Sequence, residues 1–400
     1  MPNLSKTISK VSQSETIKIS NLALKLKEQG KSIISLAEGE PDFDTPDVIK
    51  THAIKAIESG KTKYTDVSGI SELKKAVASK FKIENSLSYS EDEIIISTGG
   101  KQVLYNALAS ILNPGDEVLI LKPFCVSYPE MVKLCGATPI LIPTTNHYFD
   151  FPPIEILEKF TTKKTKCIII NTPNNPSGKV LGKEDLNTLK IFLTQNPDIW
   201  VISDEIYEHI IFDNTKHLSI LNIEPNLRNR SVIINGVSKS YAMTGWRIGF
   251  GAGPKNIISS MKKIQSQTTS GPSSISQWAA LAALSTSEDF INTNKKVFKE
   301  RRDLIIKHLT KNDFFSVYPP SGAFYLLVNI ERAINLKYQK TNLIETDFIF
   351  TELLLKNAGV AVVPGSAFGA PNHIRISFAT QNENIIKACK KIISFVSSLE

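Results

Sequence analysis

The chain is expected to adopt an α/β fold, with a large domain on a mainly parallel seven-stranded sheet and a smaller α+β domain assembled from both termini. Three observations predict it. Seven short apolar runs between residues 92 and 253 alternate with longer segments of helical period. Polar or glycine-rich residues follow several of those runs, and beyond residue 290 the pattern changes to a long amphipathic helix and shorter strands. The boundaries read as 1–45 for an N-terminal arm that joins the small domain, 46–290 for the large domain and 291–400 for the rest of the small domain.

The first element is "SNLALKLKEQG", which has helical period but no neighbour to bury against, so it is expected to pack on the C-terminal part. The seven strand candidates follow as "DEIIIST", "DEVLILKP", "ATPILIP", "KCIIINTP", "IWVISDE", "RSVIING" and "WRIGFGAG". Strands separated by helices need crossover connections, which cover both faces of a parallel sheet. The small domain then takes the helix "NKKVFKERRDLIIKHLTK" and the strands "GAFYLLVNI", "GVAVVPGSAF" and "HIRISFAT".

Composition narrows the function classes. At 42% hydrophobic and 22% charged, the 400 residues are ordinary for a globular chain that buries a core without staples. Four cysteines without CxxC spacing argue against a disulfide framework or a zinc site, and a reducing cytoplasm is the expected compartment. Six scattered histidines form no metal-ligand pair, so no metal is expected. The net charge of +8 is spread over the whole chain without interleaved aromatics, so no nucleic-acid partner is expected. No run of apolar residues reaches membrane-spanning length, and the N-terminus lacks the apolar core of a secretory signal.

In an open parallel sheet, ligands bind outside the carboxyl ends of the strands. Five chemically distinctive segments fall there: "STGGKQ", "KPFCVSYP", "NTPNNPSG", "SDEIYE" and "VSKSY". Gly100 and Lys101 open a helix, whose free amides suit a phosphate. Asn175 sits in a rigid loop able to hold an amide over a ligand, and Asp204 ends a buried strand, where a lone carboxylate needs a partner. Taken singly, each has a plainer reading as a turn, a loop starter or a helix cap. Lys239, between Ser238 and Ser240, changes the weighing, because an amine beside an aldehyde forms a Schiff base, and neighbouring positive charge and desolvation lower its pKa to make the neutral amine available. A phosphate site, a carboxylate for a ring nitrogen and donors to a phenolic oxygen around one lysine describe a site for pyridoxal 5'-phosphate.

The motifs "NTPNNPSG", "SDEIYE", "VSKSYAMTGWRIG" and "RISFAT", in this order, resemble those of a fold-type-I pyridoxal-phosphate aminotransferase of the aspartate aminotransferase class, bacterial-type branch. The similarity runs from "LAEGEPDFDTP" to "RISFAT". It implies that Lys239 carries the cofactor and moves the proton, that Asp204 pairs with the ring nitrogen, and that Tyr207 and Asn175 bond the 3'-oxygen. It implies a phosphate site of Ser238, Arg247 and the Gly100 and Lys101 amides, completed by Tyr64 of a neighbouring subunit in a homodimer. Arg375 would take the substrate α-carboxylate as a bidentate fork, with Asn175 and the Gly39 backbone beside it.

The implied reaction is a ping-pong transfer between L-aspartate and 2-oxoglutarate, with no cation yet placed for the second carboxylate. Broader or aromatic specificity, or a lyase on the same scaffold, are the alternatives, because the cofactor and lysine alone do not select which bond breaks. A basic protein that binds nucleic acid without catalysis is the reading from another class. Two departures bear on substrate. "PFCVSYPE" has Cys125 where such enzymes carry a tryptophan, which removes stacking area and widens the pocket, and Phe124 would need a backbone change to fill it. Ser12 stands near where relatives that use prephenate carry a basic residue, so prephenate is less expected.

Overall fold

The computed structural model describes residues 5–145, 149–286 and 289–400. All seven strand candidates form one sheet: β1 (Ile94–Ser97), β2 (Glu117–Leu121), β3 (Thr138–Ile142), β4 (Thr165–Asn171), β5 (Trp200–Asp204), β6 (Ser231–Gly236) and β7 (Gly249–Ala252). The spatial order is β1-β7-β6-β5-β4-β2-β3. Only β7 runs against its neighbours, β1 and β6. The other pairings are parallel. Strand alternation supplies two buried faces, since Ile96, Ile168, Val201 and Ile233 enter one apolar cluster and Ile95, Ile169, Ile202 and Val232 enter another. Runs of isoleucine and valine therefore fill both faces, which is why these strands read as continuous rather than alternating.

The second sheet comprises β8 (Tyr325–Asn329), β9 (Val363–Pro364), β10 (His373–Ser377) and the two-residue strand Ser316–Val317. β10 lies antiparallel between β8 and β9. Its core joins Leu36 near the N-terminus to Phe298, Ile305, Phe350, Ile376 and Ile392. Helix α1 (Glu15–Glu28) buries Ala23 and Leu26 against Leu355, Ala361, Val363 and Phe368, so the N-terminal helix does pack on C-terminal elements. The strand Ile34–Ser35 pairs with Val360–Ala361 and threads the same seam. The helix Asp289–Leu309 spans both cores, with Ile291 in the large-sheet cluster and Phe298 in the other.

Candidate active site

Strand register places the chemistry. Asn171 lies opposite Asp204, Asp204 opposite Ile234, and Gly249 opposite both Gly236 and Ser97. The carboxyl ends of β1, β4, β5 and β6 and the start of the reversed β7 thus share one edge. From that edge the chain proceeds to Gly100, Asn175, Tyr207 and Ser238–Lys239, and it enters β7 directly from Arg247. These residues, with Lys101, Asp204, Gly39 and Arg375, wall a single cleft. Tyr64 does not reach the cleft of its own chain; its side chain is 99% exposed.

One end of the cleft is built for an anion. Helix α2 (Gly100–Ile111) begins at the edge, and the amides of Gly100 and Lys101, which open it, have no intrahelical acceptor, while that of Gln102 donates to the Gly99 carbonyl at 3.1 Å. The helix start rests directly on β7, where a Cβ at Gly249 would lie 2.2 Å from the Gly100 nitrogen. Gly99, at φ +82°, leaves the room that Arg247 occupies, since a Cβ there would come within 2.5 Å of the guanidinium. Arg247 itself is left-handed at φ +58°, a conformation that costs an L-residue about 1–2 kcal/mol. Its Nη1 donates to the Thr244 carbonyl at 2.8 Å, which aims the side chain back over the helix start. Ser238 is buried at the same end.

The middle of the cleft holds Lys239 and Asp204. The Lys239 Nζ donates to the Gly39 carbonyl at 2.5 Å. Burial lowers its pKa to about 8, with Arg247 and Arg375 acting in the same direction. Burial raises the Asp204 carboxyl above the ordinary range, while a hydrogen bond from Tyr128 to Oδ2 at 2.6 Å opposes that rise. Among the described residues no cation pairs directly with Asp204, and its Oδ1 receives only the Ile206 amide at 3.2 Å. Such a carboxylate is suited to a cationic ligand.

At the far end, β10 carries Arg375 in register with Leu327 and Val363, leaving it 2% exposed. Nη2 donates to the Ala37 carbonyl at 2.6 Å and Nη1 to Asn175 Oδ1 at 3.1 Å, while the buried Nε has no partner. The guanidinium lies 4.4 Å from the Tyr325 ring centre and 4.9 Å from that of Phe368. A guanidinium held against two aromatic rings with donors left over has the chemistry to take a carboxylate.

Several contributors escaped the sequence reading. Tyr128 holds Asp204, and Asn171 donates from Nδ2 to the Asp204 carbonyl at 2.9 Å while accepting the Asn175 amide at 2.8 Å. Tyr325 meets the Tyr207 hydroxyl at 2.9 Å. Behind Tyr207, the buried Glu208 carboxylate is held by Lys80, Asn85 and Asn235. Tyr128 stood inside the quoted "PFCVSYPE", and a tyrosine three residues beyond a cleft residue on a helix start was the available signal. Cys125 does wall the cleft, and burial raises its thiol pKa. Phe124 points elsewhere, against Gly369, where a Cβ would meet its ring at 2.7 Å. The space an indole would fill is therefore not refilled by its neighbour.

Residues 31–392 match the family model described as "Aminotransferase class I and II". The chain belongs to this aminotransferase family. It is 48% identical to a probable aspartate/prephenate aminotransferase of Rhizobium leguminosarum bv. phaseoli, over 99% of each chain. The aspartate aminotransferase crystal structure from Rhizobium meliloti superposes with a TM-score of 0.96 at 41% identity, covering 100% of both chains. The Thermus thermophilus aspartate aminotransferase solved with maleate gives 0.92 at 39% identity, covering 99% of this chain and 100% of that one. The aminotransferases of this family depend on pyridoxal phosphate, and this chain is a pyridoxal-phosphate-dependent transaminase. The residues present fit that cofactor: a glycine cradle under Arg247, a lysine of lowered pKa and a buried carboxylate with no cation on it among the described residues wall one cleft.

Proposed function

We propose that the enzyme exchanges the amino group of L-aspartate with 2-oxoglutarate, in ping-pong fashion, at the cleft around Lys239. The observation that carries this reading is the set of four cations that wall one cleft, Arg247 at the helix start, Lys239, Arg375 beside Asn175, and Lys101. When bound, pyridoxal phosphate supplies an aldehyde and an electron-withdrawing ring. The helix start, Ser238 and Arg247 would hold the phosphate, and Asp204 would pair with the ring nitrogen. Asn175 and Tyr207 would donate to the ring oxygen; burial keeps the Tyr207 hydroxyl protonated by raising its pKa. Arg375 binds the α-carboxylate, with Asn175 and the Gly39 backbone beside it, and so brings the Cα proton toward Lys239. Lys239, leaving the Gly39 carbonyl, takes that proton and returns it.

Lys101 is exposed at the cleft wall and supplies the cation that a second carboxylate requires. The maleate bound by the Thermus thermophilus relative is a four-carbon dicarboxylate, which agrees with this subsite. Incubating the holoenzyme with aspartate should convert it to the pyridoxamine form with release of oxaloacetate. Pyruvate and ammonia without pyridoxamine would instead establish a lyase. Lys101→Ala is expected to raise the KM for aspartate roughly tenfold, with little change for phenylalanine, because it removes one charged hydrogen bond. Equal losses for both substrates would remove Lys101 from side-chain recognition.

Prephenate, a larger 2-oxo acid with a second carboxylate, is a second reading, favoured by the Rhizobium leguminosarum relative, a probable aspartate/prephenate aminotransferase. Ser12 does not decide it: its amide donates to Glu130 Oε2 at 2.7 Å, and the cleft is walled instead by Ser14, Thr16 and Ile17. The open space at Cys125 suits a bulkier acceptor. Cys125→Trp is expected to tighten aspartate or cofactor binding severalfold by restoring buried aromatic area. Lost activity in that variant would show that the chain has repacked around the thiol.

Full exposure of Tyr64 accords with a homodimer in which this side chain completes the partner's phosphate site. A sedimentation mass of 44.3 kDa, that of one chain, would remove this arrangement. The four cysteines are unpaired, as a cytoplasmic setting requires, and fractionation of the native cell would test that location. Among the described residues no helix is long and apolar enough to cross a membrane.

A further inference from the structure

Asp204 is fixed in two separate ways. Its backbone is fixed by the sheet, through pairing with Asn171 and Ile234 and through the bond from Asn171 Nδ2 to its carbonyl. The side chain is not, because the Ile206 amide at 3.2 Å is its one backbone partner and is long. The short contact comes from Tyr128, whose hydroxyl donates to Oδ2 at 2.6 Å. Tyr128 is the second residue of helix α3 (Ser127–Leu134), is 3% exposed, and packs in the cluster of Ile120, Phe124 and Ile169. Its ring is therefore held by the core rather than by the ligand. The ionisable groups around this contact are Glu205 and Lys239 facing Asp204, and Cys125 and Tyr207 facing Tyr128.

We infer that Tyr128 is the positioning residue for Asp204, turning one carboxylate oxygen away and keeping the group ionised so that the other oxygen meets the cofactor's ring nitrogen. The inference rests on the ring-nitrogen role proposed above for Asp204. A hydrogen bond to a carboxylate stabilises the charged form, and in a buried site little else replaces it. Without the hydroxyl, Asp204 gains proton affinity and draws the proton from the ring nitrogen. The electron sink weakens, and the nitrogen shared by Lys239 and the cofactor, relieved of a nearby positive charge, binds its own proton more tightly.

The test is a pH titration of the visible cofactor band in the Tyr128→Phe holoenzyme, beside Asp204→Asn and the double variant. The midpoint in Tyr128→Phe should move upward by about half a unit or more, and kcat should fall roughly tenfold with the KM for aspartate held within about twofold. Adding Tyr128→Phe to Asp204→Asn should move the midpoint no further, because the group through which Tyr128 acts is gone. An unmoved midpoint in Tyr128→Phe beside a moved one in Asp204→Asn would overturn the role of Tyr128 alone. An unmoved midpoint in Asp204→Asn would overturn the ring-nitrogen assignment and the role of Tyr128 with it. A purely structural part for Tyr128 would lower the unfolding temperature while leaving the titration in place, and that result too would overturn the inference.

Discussion

Lys239→Ala is expected to bind pyridoxal phosphate without a covalent link and to lose turnover by roughly 10²–10⁴-fold, the contribution usual for a positioned acid–base group. Loss of the link is read from the absorbance spectrum, and loss of proton transfer from single-turnover rates with aspartate. The cofactor should stay bound because the contacts proposed for it at the helix start, Ser238, Arg247 and Asp204 are independent of the amine. Turnover near the wild-type rate would show that another group moves the proton. The same substitution has a signature in the apoprotein. Lys239 has a folded pKa of about 8 against 10.5 for a free lysine, so between those values the unfolded chain binds the extra proton. Stability contributed by this site therefore rises as the pH climbs from about 8 toward 10.5, and the full cost of burying the charged amine is present below 8. Lys239→Ala should remove that slope from the pH dependence of unfolding.

Arg375→Ala should lower kcat/KM for every amino-acid substrate by roughly 10²–10³-fold, since cutting one partner from a buried, hydrogen-bonded charge pair costs on that scale. Two features of the guanidinium support so large an effect. Its Nε is buried without an acceptor, and its plane is clamped between the Tyr325 and Phe368 rings. Arg375→Lys should recover little, because an ammonium cannot match a carboxylate with two parallel bonds from that fixed plane. Cofactor affinity provides the control, as Arg375 lies at the far end of the cleft from the phosphate cradle. An Arg375→Ala enzyme with unchanged kcat/KM would move α-carboxylate recognition to another cation, Lys101 being the remaining one on the wall.

Much of this site was legible from sequence because an open sheet converts strand ends into neighbours. Asn175, Asp204, Lys239 and Gly100 lie far apart in the chain, yet each follows an apolar run; parallel register brings the first three to one edge, and the reversed β7 between β6 and β1 brings Gly100 to the same edge. Arg247 was legible for the opposite reason: it precedes a strand, and that strand is the one that runs backward. What was not legible are the contacts made sideways. Tyr128 reaches Asp204 from a helix start, and Tyr325 reaches Tyr207 from the other sheet. Neither is marked by spacing, because a buried tyrosine near a site looks the same in a sequence whether it bonds a functional group or fills a core. Gly249 and Gly99 read only as turn or strand glycines until the helix start and the Arg247 guanidinium were seen to occupy the room a Cβ would need.

The sequence by itself determined the sheet, the cofactor and the identities of the groups around it, because apolar periodicity and residue chemistry are local properties. Only the tertiary structure decided which of those groups are buried, which are paired and which donors remain unused. Desolvation and hydrogen bonding depend on segments that approach from elsewhere in the chain: Gly39 sets the resting place of Lys239, Tyr128 the state of Asp204, and Ala37 and Asn175 the orientation of Arg375. The same holds for Cys125, whose meaning as open space depends on Phe124 having packed against Gly369 on the other side.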